Sequence, residues 1–243
     1  MSALPANFID QPSRQAYLQE LGANVPPRVT FVWPSSESFL PEYVSTQSRE
    51  WAKLTGRRPL LWNSFPTSAA AQLFLGAKRN AAPTLPQEAV GFIANPPSQL
   101  YAARLPLATV AEYAWSSRNY QPVRAFESAL NLLFDERSRA GVRLWAQAFG
   151  ASAEASGSVR EQPKLLFEPL FRARQPEINV PFFEQQIESL QNALSAIGST
   201  RERGLLRGEL AVVLARMRAA IERVKKDETY ERSANGSYKL RTP

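Results

Sequence analysis

Three short apolar runs, spaced about thirty residues apart, mark the first half of the chain. They cover residues 29–33, 59–62 and 90–94. Because apolar residues follow one another in these runs and do not alternate with polar ones, the runs predict strands buried on both faces. Such strands are typical of a parallel sheet covered by helices, and strand, helix and strand at this spacing form a βαβ unit.

Helices are predicted around these strands. The first runs from about Pro12 to Leu21, the second is capped by Ser45 or Thr46 and ends before Gly56, and the third covers about Leu100 to Trp115. Pro106 lies inside the third helix and should kink or restart it, because proline lacks a backbone N–H donor.

After about residue 119 the apolar positions take a helical spacing. Two helices are predicted from Pro122 onward, with a break near Asp135. A polar loop follows at residues 150–163, and two more helices are predicted after it. Asn179 precedes the first of them, and Ser199 or Thr200 starts the second. Gly198 marks the turn between these two helices. Their apolar stripes predict antiparallel helices packed as a bundle core, and from Thr229 onward the polar tail is predicted to fray.

The predicted fold class is therefore α/β followed by all-α. Residues 1–119 form the α/β part, and residues 120–243 form a helical bundle with a polar C-terminal tail. At 243 residues and 44% hydrophobic composition, the chain can bury a substantial core.

Composition excludes several kinds of chemistry. The chain contains neither histidine nor cysteine, so a Ser-His-Asp triad, a cysteine nucleophile, a His/Cys zinc site and disulfides are all ruled out. The net charge of +7 is spread along the chain among acidic residues, which argues against a nucleic-acid partner. No apolar run approaches the roughly 18 residues of a membrane span, and no signal peptide is recognisable. We therefore expect no membrane partner, and the compartment stays open with the cytoplasm as the default.

Candidate chemistry lies in the loops that follow the predicted strands, because ligands bind at the carboxyl ends of parallel strands. Glu37 and Glu42 after the first strand offer a carboxylate pair, although solvated glutamates in a loop are the simpler interpretation. The next loops combine an aromatic ring with amides and hydroxyls, a mixture typical of sugar-binding sites. These residues are Trp62, Asn63, Ser64, Ser68 and Asn95.

Four segments around these residues carry a family resemblance. They are LLWNSFP at 60–66, LFLG at 73–76, GFIANP at 91–96 and LATVAEYAW at 107–115, followed by Tyr120. In this order they resemble the closing part of the catalytic barrel of glycoside hydrolase family 84, the β-N-acetylglucosaminidases that include O-GlcNAcases and some bacterial proteins named hyaluronidases. The resemblance covers about residues 28–135. The helical remainder is similar in character to the domain that follows that barrel.

The resemblance implies a (β/α)₈ barrel that hydrolyses N-acetylglucosaminides with retention. In that mechanism the substrate's acetamido oxygen attacks C1, one aspartate orients the acetamido group, and a neighbouring aspartate is general acid and then general base. This chemistry requires no cofactor and no metal. The expected partner is a glycan or glycoprotein that contains N-acetylglucosamine.

Individual positions match the family's pocket unevenly. Trp62 corresponds to its tryptophan and Asn95 to an asparagine, whereas Ser64 replaces a second asparagine and Ala69 an aspartate that binds sugar hydroxyls. Hydroxyls left unpaired on burial cost about 1 to 3 kcal/mol, so weakened sugar binding is expected. The family's catalytic aspartate pair belongs to the fourth strand, and the resemblance here begins at the helix before the sixth. No catalytic residue is therefore assigned in this chain.

The predicted strands are too few to close a barrel. A (β/α)₈ barrel takes about 250 residues, whereas the α/β part has fewer than 120 and contains the last three βα units. Three parallel strands leave two unpaired edges, so we expect association with the upstream half of a barrel or self-association. The alternative function is a non-catalytic remnant that acts as a protein-interaction or weak carbohydrate-binding module.

Overall fold

The computed structural model describes residues 12–35, 41–66, 73–79, 83–150, 166–171, 175–198 and 200–241. Its helices are α1 (Pro12–Asn24), α2 (Pro41–Thr55), α3 (Leu85–Glu88), α4 (Leu100–Trp115), α5 (Pro122–Leu133), α6 (Glu136–Phe149), α7 (Val180–Ala196) and α8 (Arg201–Lys226). Its strands are β1 (Val32–Ser35), β2 (Leu60–Pro66), β3 (Gly91–Asn95), β4 (Glu177–Ile178), β5 (Tyr230–Arg232) and β6 (Tyr238–Leu240).

The predicted parallel sheet is present, with β2 between β1 and β3. The first strand begins later than the apolar run suggests. Arg57, just after α2, donates hydrogen bonds to the carbonyls of Gly22, Pro26 and Val29, which holds the segment before β1 as a turn. Backbone groups engaged in this way are not available to a strand ladder.

Helices cover only one face of this sheet, so the expectation of strands buried on both faces is wrong for the described residues. Trp33, Leu61 and Phe92 lie side by side in the register and pack with Leu18 of α1 and Trp51 of α2. On the opposite face Val32 and Ile93 are 47% and 39% exposed. The apolar residues of these strands therefore form one face buried under helices and one face that is open.

The boundaries of two helices in the α/β part differ from the sequence predictions. Helix α2 begins at Pro41, not after Ser45 or Thr46, which agrees with the preference of proline for the first helical turn. Gly56 follows this helix with a φ of 71°, as a left-handed C-terminal residue should. Helix α4 continues through Pro106 as one element, so the proline does not restart it.

The predicted helices of the second half are confirmed. Asp135 caps α6 by accepting from the Ser138 amide, and Asn179 caps α7 in the same way through the Phe182 amide. The aromatic rings of Trp145, Phe149 and Phe167 stack in succession at the centre of the bundle.

The large core crosses residue 119. It contains Leu73, Leu75 and Leu105 from the α/β part together with the buried stripes of α6, α7 and α8. Helix α4 therefore packs against the bundle as well as against the sheet. The division into two parts at residue 119 stays a prediction.

The C-terminal tail does not fray as predicted. Strands β5 and β6 pair antiparallel through a turn at Gly236, and β6 also pairs with β4. Tyr230 is buried in the bundle core, which anchors the tail. A polar composition conceals this sheet because only one face of such short strands needs apolar residues.

Candidate functional site

Trp62 and Asn95 lie on the helix-free face of the parallel sheet. Trp62 pairs with Ile93 in the register, and side chains two residues apart on a strand point to the same face, which places Asn95 on that face too. The pairing shifts between Asn63 and Pro66, and Asn95 lies opposite Pro66. The irregularity therefore falls between the two candidate side chains, where it sets the direction of the end of β2.

The face around them is open and apolar. Leu60 and Trp62 are half-buried, whereas Val32 and Ile93 are exposed. None of these side chains belongs to the buried clusters that the described residues form. This combination of one aromatic ring, aliphatic neighbours and a half-buried amide is a surface that a sugar ring can contact.

The remaining candidates are only partly described. Ser64 lies within β2 at the irregularity, and its side chain falls outside the described residues. The same holds for the side chains of Asn63 and Glu42, while Glu37, Ser68 and Ala69 lie wholly outside the described ranges. The structure thus brings Trp62 and Asn95 to one face, and the sugar-binding roles of Trp62, Asn95 and Ser64 stay predictions.

A buried lysine lies behind the site, on the helix-covered side of the sheet. The Lys78 Nζ atom is 5.4 Å from the centre of the Phe65 ring and 6.0 Å from that of Phe92. Burial lowers the pKa of Lys78 to about 8, because removal from water disfavours the ammonium ion.

Hydrogen bonds attach the segment around Lys78 to α4. The Lys78 amide donates to Thr109 Oγ1 at 2.9 Å, and the Tyr120 hydroxyl donates to the Lys78 carbonyl at 2.6 Å. Burial is the main cause that raises the pKa of Tyr120, so this hydroxyl keeps its proton and stays a donor at neutral pH. Tyr120 is one of the residues that carry the family resemblance, and its observed role is to fix this segment.

Sequence reasoning missed one residue near the site. Glu209 of α8 accepts hydrogen bonds from the amides of Tyr101 and Ala102 at the start of α4, at 3.1 and 2.8 Å. Gln99, which precedes α4, makes no such bond with its own side chain. No local pattern reveals this contact, because more than a hundred residues separate its partners.

Neither a metal centre nor a membrane span is found in the part of the chain that the structure describes. No group of three or more acidic side chains there is arranged to hold a metal ion. No described helix is long and apolar enough to cross a membrane.

These features define a class of fold: a parallel α/β sheet whose helix-free face carries an aromatic ring and an amide. The family model of beta-N-acetylglucosaminidase, NAGidase, matches residues 1–146. The chain belongs to this family, and the resemblance to glycoside hydrolase family 84 is confirmed.

Several solved structures have a similar fold. A mutant of the Thermobaculum terrenum O-GlcNAc hydrolase has a TM-score of 0.63 at 21% identity, covering 91% of this chain and 47% of that one. CpGH84B has a TM-score of 0.58 at 15% identity, covering 87% of this chain and 39% of that one. CpGH84D gives 0.55 at 13% identity, with 88% and 40% covered. The chain spans less than half the length of these proteins and shares their fold over that part.

Proposed function

We propose that this chain forms the closing part of a β-N-acetylglucosaminidase barrel and supplies Trp62 and Asn95 to its sugar pocket. The observation that carries the proposal is their position on one helix-free face of neighbouring strands. Trp62 lies within β2 opposite Ile93, and Asn95 is the last residue of β3, at the carboxyl edge of the sheet. In a (β/α)₈ barrel that edge of the sheet holds the active site.

Each side chain has a distinct task in this proposal. The Trp62 ring packs against the apolar C–H face of an N-acetylglucosamine unit, and the Asn95 amide both donates to and accepts from its polar groups. Ser64 adds a hydroxyl at the irregular end of β2. Alanine at position 69 has no polar group to pair with the sugar hydroxyls that a carboxylate would bind. Because these hydroxyls lose a partner, binding is weak in this proposal.

The acid and base of the reaction come from outside this chain in our proposal. The described residues that share the helix-free face are apolar or amide-bearing, with Val32, Leu60, Trp62, Ile93 and Asn95 among them. None of these can exchange a proton near neutral pH. In this proposal these described residues contribute to binding the sugar and not to proton transfer.

The partner that completes the site is the upstream half of the barrel. The apolar side chains Val32 and Ile93 face the volume that a barrel interior would occupy, and β1 and β3 are the two outer strands of the sheet. In the absence of that partner, we expect copies of this chain to associate through the same surface, because unpaired strand edges and apolar faces attract one another.

Binding of N-acetylglucosamine by the chain tests this function. We expect a dissociation constant on the order of millimolar, with NMR shifts confined to the Trp62 indole N–H and the Asn95 side-chain amide. Trp62→Ala should weaken binding about fivefold, as expected for the loss of one aromatic contact worth about 1 kcal/mol.

Trp115→Ala is the matched control, because Trp115 is 92% exposed on α4, away from the strand ends. It should leave the titration unchanged. Equal binding by wild type and Trp62→Ala, or shifts centred on another surface, would contradict the assignment of this site.

A further inference from the structure

The first turn of α4 is capped by a side chain from a distant helix. Tyr101 and Ala102 occupy the second and third positions of α4, whose amides have no carbonyl partner within the helix. An N-cap side chain ordinarily accepts from these positions, but Gln99 makes no such bond. Glu209 of α8 supplies one carboxylate oxygen to each amide.

This contact is well suited to fix α4 in place. A carboxylate that accepts two backbone N–H bonds at the positive end of a helix combines charge-assisted hydrogen bonding with the favourable helix dipole. Glu209 is half-buried, and the neighbouring turns of α8 place Leu206 and Leu210 in the large core. The carboxylate is therefore held by a helix that is itself packed against the bundle.

A short and stiff connection links the capped turn to the candidate site. Only residues 96–99 separate Asn95, the last residue of β3, from Leu100, the first of α4. Two of these are Pro96 and Pro97, whose rings fix their φ angles. This short link gives the first turn of α4 a direct path by which its position can affect that of Asn95.

We propose that Glu209 is a positioning residue, through which the helical bundle sets the placement of Asn95 on the helix-free face. The part of this inference that concerns sugar rests on the proposed function. The cap and its effect on Asn95 do not depend on it.

The variant Glu209→Gln tests the inference in the full chain. It keeps the shape of the side chain but removes the charge and replaces one acceptor with a donor, so one of the two amides loses its partner. We expect hydrogen exchange at Tyr101 and Ala102 to become about tenfold faster, as for the loss of a helix cap. The side-chain amide resonance of Asn95 should shift, and N-acetylglucosamine binding should weaken.

Glu202→Gln is the matched control. Glu202 also joins α8 to α4, through an ion pair with Arg104 at 2.6 Å, but it does not contact the capped amides. This variant should leave both the exchange rates and the Asn95 resonance as in the wild type.

The outcomes separate this inference from the proposed function. An Asn95 resonance that does not move in Glu209→Gln, or exchange at Tyr101 and Ala102 that stays slow, would overturn the positioning role. A moved Asn95 resonance in a protein whose wild type shows no response to the sugar would uphold the positioning role and reject the proposed pocket.

Discussion

Replacing Trp145 with alanine should lower the free energy of unfolding by about 4 kcal/mol, the cost of removing a large aromatic side chain from a packed core. Trp145 is fully buried, stacks on Phe149, and donates its indole N–H to the carbonyl of Leu190 at 3.2 Å. Because this core also contains Leu73 and Leu105, the loss should destabilise the α/β part and the bundle in a single transition.

Chemical denaturation followed by far-ultraviolet circular dichroism measures this change without relying on tryptophan fluorescence. Trp145→Phe keeps the ring stacking and should cost only about 1 to 2 kcal/mol, chiefly the hydrogen bond and some volume. Trp115→Ala, at the 92% exposed position, should change stability by no more than about 0.5 kcal/mol. A Trp145→Ala protein as stable as Trp115→Ala would show that this core is not as described.

Lys78 should make the stability of the fold rise with pH above about 8. The pKa of its amine is about 8 in the folded chain and close to 10.5 when unfolded. Between these values the unfolded state binds more protons, so stability increases as pH rises through this window and is constant with respect to this group below it.

The variant Lys78→Met isolates that contribution, because methionine has a similar length and no charge. The stability of the variant relative to the wild type should fall by about 3 kcal/mol between pH 7 and pH 10.5, as the folded wild type sheds its buried charge. Urea denaturation of both proteins at the two pH values measures this difference. A relative stability that does not change with pH would mean that Lys78 is not desolvated in the folded chain.

Local sequence signals predicted the strands and helices that are determined by residues close together in the chain. The apolar runs located the three parallel strands. Pro122 marked a helix start through its fixed φ, and the break near Asp135 and the start after Asn179 coincide with side-chain caps. The first strand was displaced because Arg57 holds the preceding turn from a distance of about thirty residues along the chain. The paired C-terminal tail was missed because its strands are short and polar, although Asn235-Gly236 is a local signal for the hairpin turn between β5 and β6.

In the candidate site, too, features with local signals were predicted and contacts between distant segments were not. Asn95 was found because it stands at the end of a predicted strand, where ligands bind in parallel sheets. Trp62 was predicted to begin the loop after its strand, but it lies within β2, which continues to Pro66. The exposure of Val32 and Ile93 could not be predicted, because the same apolar residues suit a face covered by helices and a face open to other strands. Glu209 and the burial of Lys78 follow from packing between distant segments, which no local pattern encodes.

We propose that this chain supplies part of the wall of an N-acetylglucosaminide pocket and that the acid and base come from elsewhere. Incubation of the purified chain with a chromogenic N-acetylglucosaminide tests it most directly. The account predicts release of the chromophore no faster than in buffer, and the same slow release with Trp62→Ala. Turnover by the wild-type chain that is lost in Trp62→Ala would contradict it, because the acid and base would then lie within these residues.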